Sequence, residues 1–144
     1  RNTNNHRKLT MDFFAEFAVN ETAAKEGVFV PYSGDVEFKI AKIGTRTYRN
    51  FASPLFQRNE RILKQKGDAA EDKATELIIT VMANVVLVGW KGDLKYQGQP
   101  LGDYTVEKAK KLLAHESFRD WVDAQSKRDD LYKEVQDDEA DAKN

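Results

Sequence analysis

The sequence predicts a mainly α fold: a single small helical domain with a central buried helix and a short β-hairpin near the N-terminus. Three observations predict it. An apolar stretch from Leu77 to Val88 follows an acidic opening at Asp68, Glu71 and Asp72, as in a helix whose dipole is satisfied at one end and whose other end is buried. The N-cap residues Asn20, Thr45, Thr105 and Ser117 each precede a run of helix formers. A pair of β-prone runs, Val28–Val30 and Val36–Ile40, is separated by the turn chemistry of Pro31-Tyr32-Ser33-Gly34-Asp35.

Residues 1–10 are polar and without periodicity, and read as a disordered segment or an extension ahead of a native start at Met11. Phe13, Phe14 and Phe17 then give an apolar stripe at helical spacing. Asn20 caps a short helix that Gly27 ends. In the hairpin that follows, Val36, Phe38 and Ile40 alternate with charged residues and face the core. Such a hairpin is marginal alone, so it either covers the helices or offers an edge strand to a partner.

Thr45 caps the next helix, in which Ser53-Pro54 restarts a second segment carrying Leu55, Phe56, Ile62 and Leu63. The central helix runs from Asp68 to about Val88, apolar on nearly every side of its second half and therefore expected to be buried all round. Trp90 stands at its end. Gly89 to Tyr104 reads as a glycine-rich loop. Thr105 caps a helix with Val106, Ala109, Leu112 and Leu113. Ser117, with Asp120 in a capping-box position, opens a helix bearing Phe118, Trp121 and Val122, with Leu131 and Val135 further along. Residues 136–144 are acidic and read as a flexible tail, which leaves 11–135 as the helical domain.

With 144 residues the chain is long enough for one domain that buries roughly two-thirds of its unfolded surface. The net charge of -1 disfavours nucleic-acid binding, which needs a basic stripe. The absence of cysteine excludes disulfides, thiolate metal sites and thiol nucleophiles. The uncharged run Leu77 to Trp90 falls short of the about 20 apolar residues that span a bilayer, and the polar first ten residues show no signal peptide. No membrane association is expected.

The inventory for catalysis is thin. Of the two histidines, His6 lies in the polar N-terminal segment and His115 near a helix end. The acidic pairs Glu71-Asp72, Asp129-Asp130 and Asp137-Asp138 are sequence neighbours, which point in different directions on a helix and do not converge on a metal or substrate. The glycines between Gly89 and Gly102 lack the setting and the Lys-Ser/Thr ending of a phosphate loop. No enzymatic activity, cofactor or metal is expected. Trp90 and Trp121 fit core packing first, since aromatic side chains bury most of their area, and interaction anchors second, since tryptophan is enriched in binding hot spots.

The order of several segments resembles the tail assembly chaperones of long-tailed bacteriophages (siphophages), in their short, non-frameshifted form. The resemblance runs from Phe17 to Asn144. It is carried by Lys25-Glu26-Gly27-Val28-Phe29-Val30, then Phe38-Lys39-Ile40-Ala41-Lys42 and a helix around Tyr48. It continues through Val86-Leu87-Val88-Gly89-Trp90-Lys91-Gly92, Gly98, Tyr104-Thr105, Glu107-Lys108-Ala109 and Leu112-Leu113, and finishes with the acidic end Asp141-Ala142-Lys143-Asn144. It implies a protein of the host cytoplasm, absent from the mature virion, that binds the tape measure protein, keeps it soluble and helps to recruit tail tube subunits. Recruitment of the tail tube protein would run through a longer product made by programmed frameshift. Ala142-Lys143-Asn144 is compatible with a slippery codon run at that place. Self-association is a further expectation of the family.

A chaperone of this kind needs exposed apolar or aromatic surface to cover an apolar helical partner, and no active site. Trp90, Phe118, Trp121, Leu131 and Tyr132 are the candidate partner-contact residues. The competing expectation is a head-tail connector or completion protein, which would stay in the virion.

Overall fold

Strand pairing shares the centre of the molecule with helix packing. In the computed structural model, which describes residues 10–134, the chain runs α1 (Phe13–Phe17), α2 (Glu21–Glu26), β1 (Val28–Ser33), β2 (Val36–Ile40), α3 (Arg46–Arg58), α4 (Glu60–Leu63) and α5 (Asp68–Val85). It continues with β3 (Leu87–Lys91), β4 (Lys95–Tyr96), β5 (Gln99–Pro100), α6 (Val106–Leu113), α7 (Glu116–Ser126) and a 3-10 turn at Asp129–Leu131. The expected tail at 136–144, Val135 and the first nine residues lie outside the described residues.

The mainly α expectation is corrected. The fold is mixed: of the described residues 54% are helical and 18% strand, with a three-stranded antiparallel sheet in the order β1-β2-β3. The hairpin is there, with Val28 opposite Ile40 and Val30 opposite Phe38. Its second strand is the middle of the sheet, because β3 pairs with it at Phe38↔Trp90 and Ile40↔Leu87. The apolar run after Asp68 therefore belongs to two elements. The helix ends at Val85, and Val86 leaves helical geometry with φ -123. A run of β-branched residues at that point is weakly helical and well suited to a strand. Short apolar runs cannot be assigned by periodicity alone, and a partner strand distant in sequence decides.

That division also removes the reason to bury α5 on every side. Leu77, Val81, Met82 and Ala83 are buried, whereas Ile78 is 43% exposed. The expected glycine-rich loop is likewise partly ordered as strand: β3 extends to Lys91, and β4 and β5 form a small ladder. Gly92 permits the tight exit from β3. Its φ is +101, and a Cβ there would overlap the Asp35 carbonyl at the hairpin turn.

The helix starts follow local chemistry. Asn20 accepts from the Ala23 N–H at 3.1 Å, Thr45 from Tyr48 at 3.1 Å and Thr105 from Lys108 at 3.1 Å. Asp12 caps α1 in the same way, at 3.1 Å from the Phe14 nitrogen. The last helix starts one residue ahead of the expected cap, with His115 and not Ser117 at the N-cap and no side-chain capping bond. Pro54 does not restart a segment: it sits inside α3, and the break comes at Asn59.

One sheet face is covered. Val30, Phe38, Ile40 and Leu87 join Met82, Ala83, Val86, Leu112, Leu113 and Val122 in a single core. In the helical layer α5 packs on α6 and α6 on α7, and α7 also reaches β2. The opposite sheet face is open: Phe29 is 40% exposed, with the ammonium groups of Lys91 and Lys39 at 4.3 and 5.7 Å from its ring centre. The residues after α7 tie the N-terminal segment down. The Tyr132 carbonyl accepts from Asn20 at 2.7 Å, and the Glu134 N–H donates to Ala18 at 3.1 Å. Lys133 bridges Val19.

Candidate partner-binding site

Phe38, in the central strand, collects aromatic side chains from three other elements. It faces inward because alternate residues of β2 point to the core, and it is 2% exposed. Phe118 and Trp121, one helical turn apart on α7, lie with ring centres 4.9 and 6.0 Å from it. Trp90, opposite Phe38 on β3, is 6.4 Å away in an edge-on arrangement. Tyr32, at the hairpin end of β1, stands edge-on to Trp121 at 4.8 Å and to Phe38 at 5.7 Å, and is 53% exposed. Edge-on and offset rings at these separations attract beyond the area they bury.

Beside the cluster is an open groove of about 450 Å³. Phe38, Leu112, Phe118 and Leu94 supply apolar lining, and Asp35, Asp93 and His115 add polar groups. The Asp93 N–H donates to the Asp35 carboxylate at 3.2 Å, joining the hairpin turn to the loop after β3. At the same end His115 Nε2 and the Tyr96 hydroxyl are 2.7 Å apart, with the Lys111 ammonium 5.3 Å from the Tyr96 ring centre. The volume falls within the roughly 300–1,000 Å³ of ordinary binding clefts.

The five sequence-derived contact residues do not form one surface. Trp90, Phe118 and Trp121 meet through Phe38, all three half-buried. Trp90 also donates from Nε1 to the Gly102 carbonyl at 2.8 Å and packs on Tyr104, whose hydroxyl donates to the Ala83 carbonyl. Leu131 and Tyr132 lie instead on the segment after α7. Leu131 is half-buried against the core. Tyr132 is completely buried and donates to the Ile40 carbonyl at 2.8 Å, so in this fold its side chain is a core group and not a surface contact. Burial pushes its phenol up to about 12. Burial also raises Tyr104, and raises Tyr48 with help from the nearby Asp123 carboxylate.

Tyr32, Phe38 and Leu94 are not among the sequence-derived contact residues. The alternation of β2 marked Phe38 as inward, but nothing local showed that the hairpin turn would lie next to α7. A second apolar surface was visible as the Phe13, Phe14 and Phe17 stripe. These rings are 68%, 67% and 57% exposed, beside Met11 at 59%. Phe13 and Phe17 pack on each other, with 4.6 Å between ring centres, and among the described residues the three rings leave an exposed apolar patch.

Among the described residues no group of three His, Asp or Glu is placed to hold a metal ion, and no helix is long and apolar enough to cross a membrane. No buried side-chain nitrogen or oxygen among them lacks a hydrogen-bond partner. The arrangement can offer apolar and aromatic surface to a partner, with a few polar groups at its edge to orient it.

No curated protein and no solved structure matches the chain. The sequence model of the YdaY prophage protein matches residues 43–144, from the loop before α3 onward, and so includes all five sequence-derived contact residues. That match spans well over half of the chain, which therefore belongs to the YdaY prophage protein family and is phage-derived.

Proposed function

We propose that this protein is a tail assembly chaperone that binds the tape measure protein, keeps it soluble and helps to recruit tail tube subunits. One observation carries the reading: the open apolar groove between the hairpin turn and α7, walled by Phe38, Leu112 and Phe118 and flanked by the exposed Tyr32. An amphipathic helix presents apolar anchors at i, i+3 and i+4, and a groove of this kind accepts such anchors while the rest of the helix lies along its edge. A long tape measure helix would otherwise expose its apolar face and aggregate. Many copies along one polymer add avidity without needing tight single sites.

The uncovered phenylalanines of α1 are a second apolar surface that suits either the partner or another copy of the chain. Phage descent agrees with the reading but is coarser than it. Residence in the host cytoplasm, absence from the virion and recruitment of tail tube through a frameshifted product belong to the same proposal.

Co-expression with the tape measure protein of the same phage tests it. The expected result is a soluble tape measure that co-purifies with many copies of this chain, and a clear loss of co-purification for Leu94→Asp in the groove. A tape measure that stays insoluble and unbound would overturn the reading. So would mass spectrometry that finds the chain in purified virions, where a head-tail connector belongs.

A further inference from the structure

A second groove, of about 670 Å³, opens between α2 and the first turn of α3. It stands apart from the aromatic site and from the chaperone reading. Lys25, Lys42, Arg46 and Arg49 line it, against the single carboxylate of Glu21. Lys42 reaches Asp129 at 3.3 Å. Among the described residues, Lys25, Arg46 and Arg49 have no carboxylate within ion-pair distance. Four cations that line one concavity, three of them without a carboxylate partner among the described residues, repel each other, and an occupant with several negative charges would relieve that cost.

The end of the described chain lies at the edge of this groove. Val19, which lines it, forms a bridge with Lys133, and the Glu134 N–H donates to the neighbouring Ala18 carbonyl at 3.1 Å. The sequence that follows places Asp137, Asp138, Glu139 and Asp141 within five residues. Asp137 is three residues past Glu134, a span of about 10 Å when extended.

We propose that the groove of Lys25, Lys42, Arg46 and Arg49 is the docking site of the acidic segment Asp137–Asp141 of the same chain. Tethering keeps the carboxylates at an effective concentration on the order of millimolar beside the guanidinium groups. Arginine matches carboxylate geometry in a bidentate fork, and several pairs together do what one exposed pair does not. A duplex nucleic acid is the poorer occupant, because its regular phosphate rows call for a long basic stripe and not one concave cluster.

The test uses the full chain and its D137N/D138N/E139Q/D141N variant, with a labelled peptide of the sequence Gln136–Asn144 as probe. Neutralising the segment is expected to shift the backbone amide resonances of Thr45–Arg49 at low salt, a difference lost at about 500 mM salt. The peptide is expected to bind the neutralised variant about tenfold more tightly than the unmodified chain, since the tethered competitor is gone. Adding the exposed substitutions Arg46→Glu and Arg49→Glu is expected to abolish that binding while circular dichroism stays unchanged. Amide resonances that do not respond to neutralisation would overturn the proposal, as would peptide binding indifferent to the two arginines. Resonance shifts that grow with protein concentration would move the contact between copies and overturn docking within one chain. An oligonucleotide duplex that outcompetes the peptide at equal charge would assign the groove to nucleic acid instead.

Discussion

Replacing Tyr132 with phenylalanine removes one hydroxyl from a fully enclosed site and leaves the ring in place. That hydroxyl donates to the Ile40 carbonyl at 2.8 Å, on the strand at the middle of the sheet, and the side chain has no exposed surface. The net value of such a hydrogen bond is about 1 kcal/mol, and the carbonyl left behind loses a partner in a place water does not readily reach, which costs up to about 1–3 kcal/mol. The expected loss is therefore about 1–2 kcal/mol, since a phenylalanine of the same shape opens no cavity. Urea denaturation at neutral pH measures it as a lower midpoint at an unchanged slope. An unfolding free energy within about 0.3 kcal/mol of the parent would refute the enclosed hydrogen bond. A variant of unchanged stability that had lost partner binding would return Tyr132 to the surface role that its aromatic character suggests in the sequence.

The same phenol makes stability pH-dependent at the alkaline end. Its pKa rises from 10.0 to about 12 on folding, so the folded state holds the proton more tightly; the contribution is complete below pH 10 and is lost as pH rises toward 12. The difference between the parent and Tyr132→Phe in denaturation midpoint should shrink over that range. Gly92→Ala should destabilise the fold by about 2 kcal/mol or more in the same assay, because a side chain at φ +101 is strained and its Cβ meets the Asp35 carbonyl. Leu113→Ala empties a fully buried position and should cost about 2–5 kcal/mol by thermal or chemical denaturation. Phe13→Ser with Phe17→Ser should change stability by about 0.5 kcal/mol or less, because both rings are exposed, while lowering the binding of a hydrophobic dye.

Much of the local structure is written in neighbouring residues. Asn20, Thr45 and Thr105 terminate helices through bonds to the backbone three residues on, so their spacing alone places those starts. Val28–Ile40 reads as a hairpin because its turn residues and its alternation lie within one short stretch. The part of the site on α7 was legible for the same reason, since Phe118 and Trp121 share a helix face wherever that helix packs.

Leu87 to Lys91 shows where such reading stops. In sequence Leu87 and Val88 prolong the apolar pattern of α5 and Gly89 opens a glycine-rich loop; in the fold the five residues form one strand paired with another some fifty residues earlier, from Glu37↔Lys91 to Ile40↔Leu87. Backbone groups of β2 that need partners, and not any neighbour of Val86, turn that run into a strand. The third strand then draws Trp90 to Phe38 and brings the hairpin turn beside Asp93. Tyr132 separates the two kinds of information most sharply. Its aromatic character is evident in the sequence and suits either a surface anchor or a core group. Only the return of the chain beneath Ile40 buries it, because the hydrogen bond that encloses it joins residues 92 positions apart.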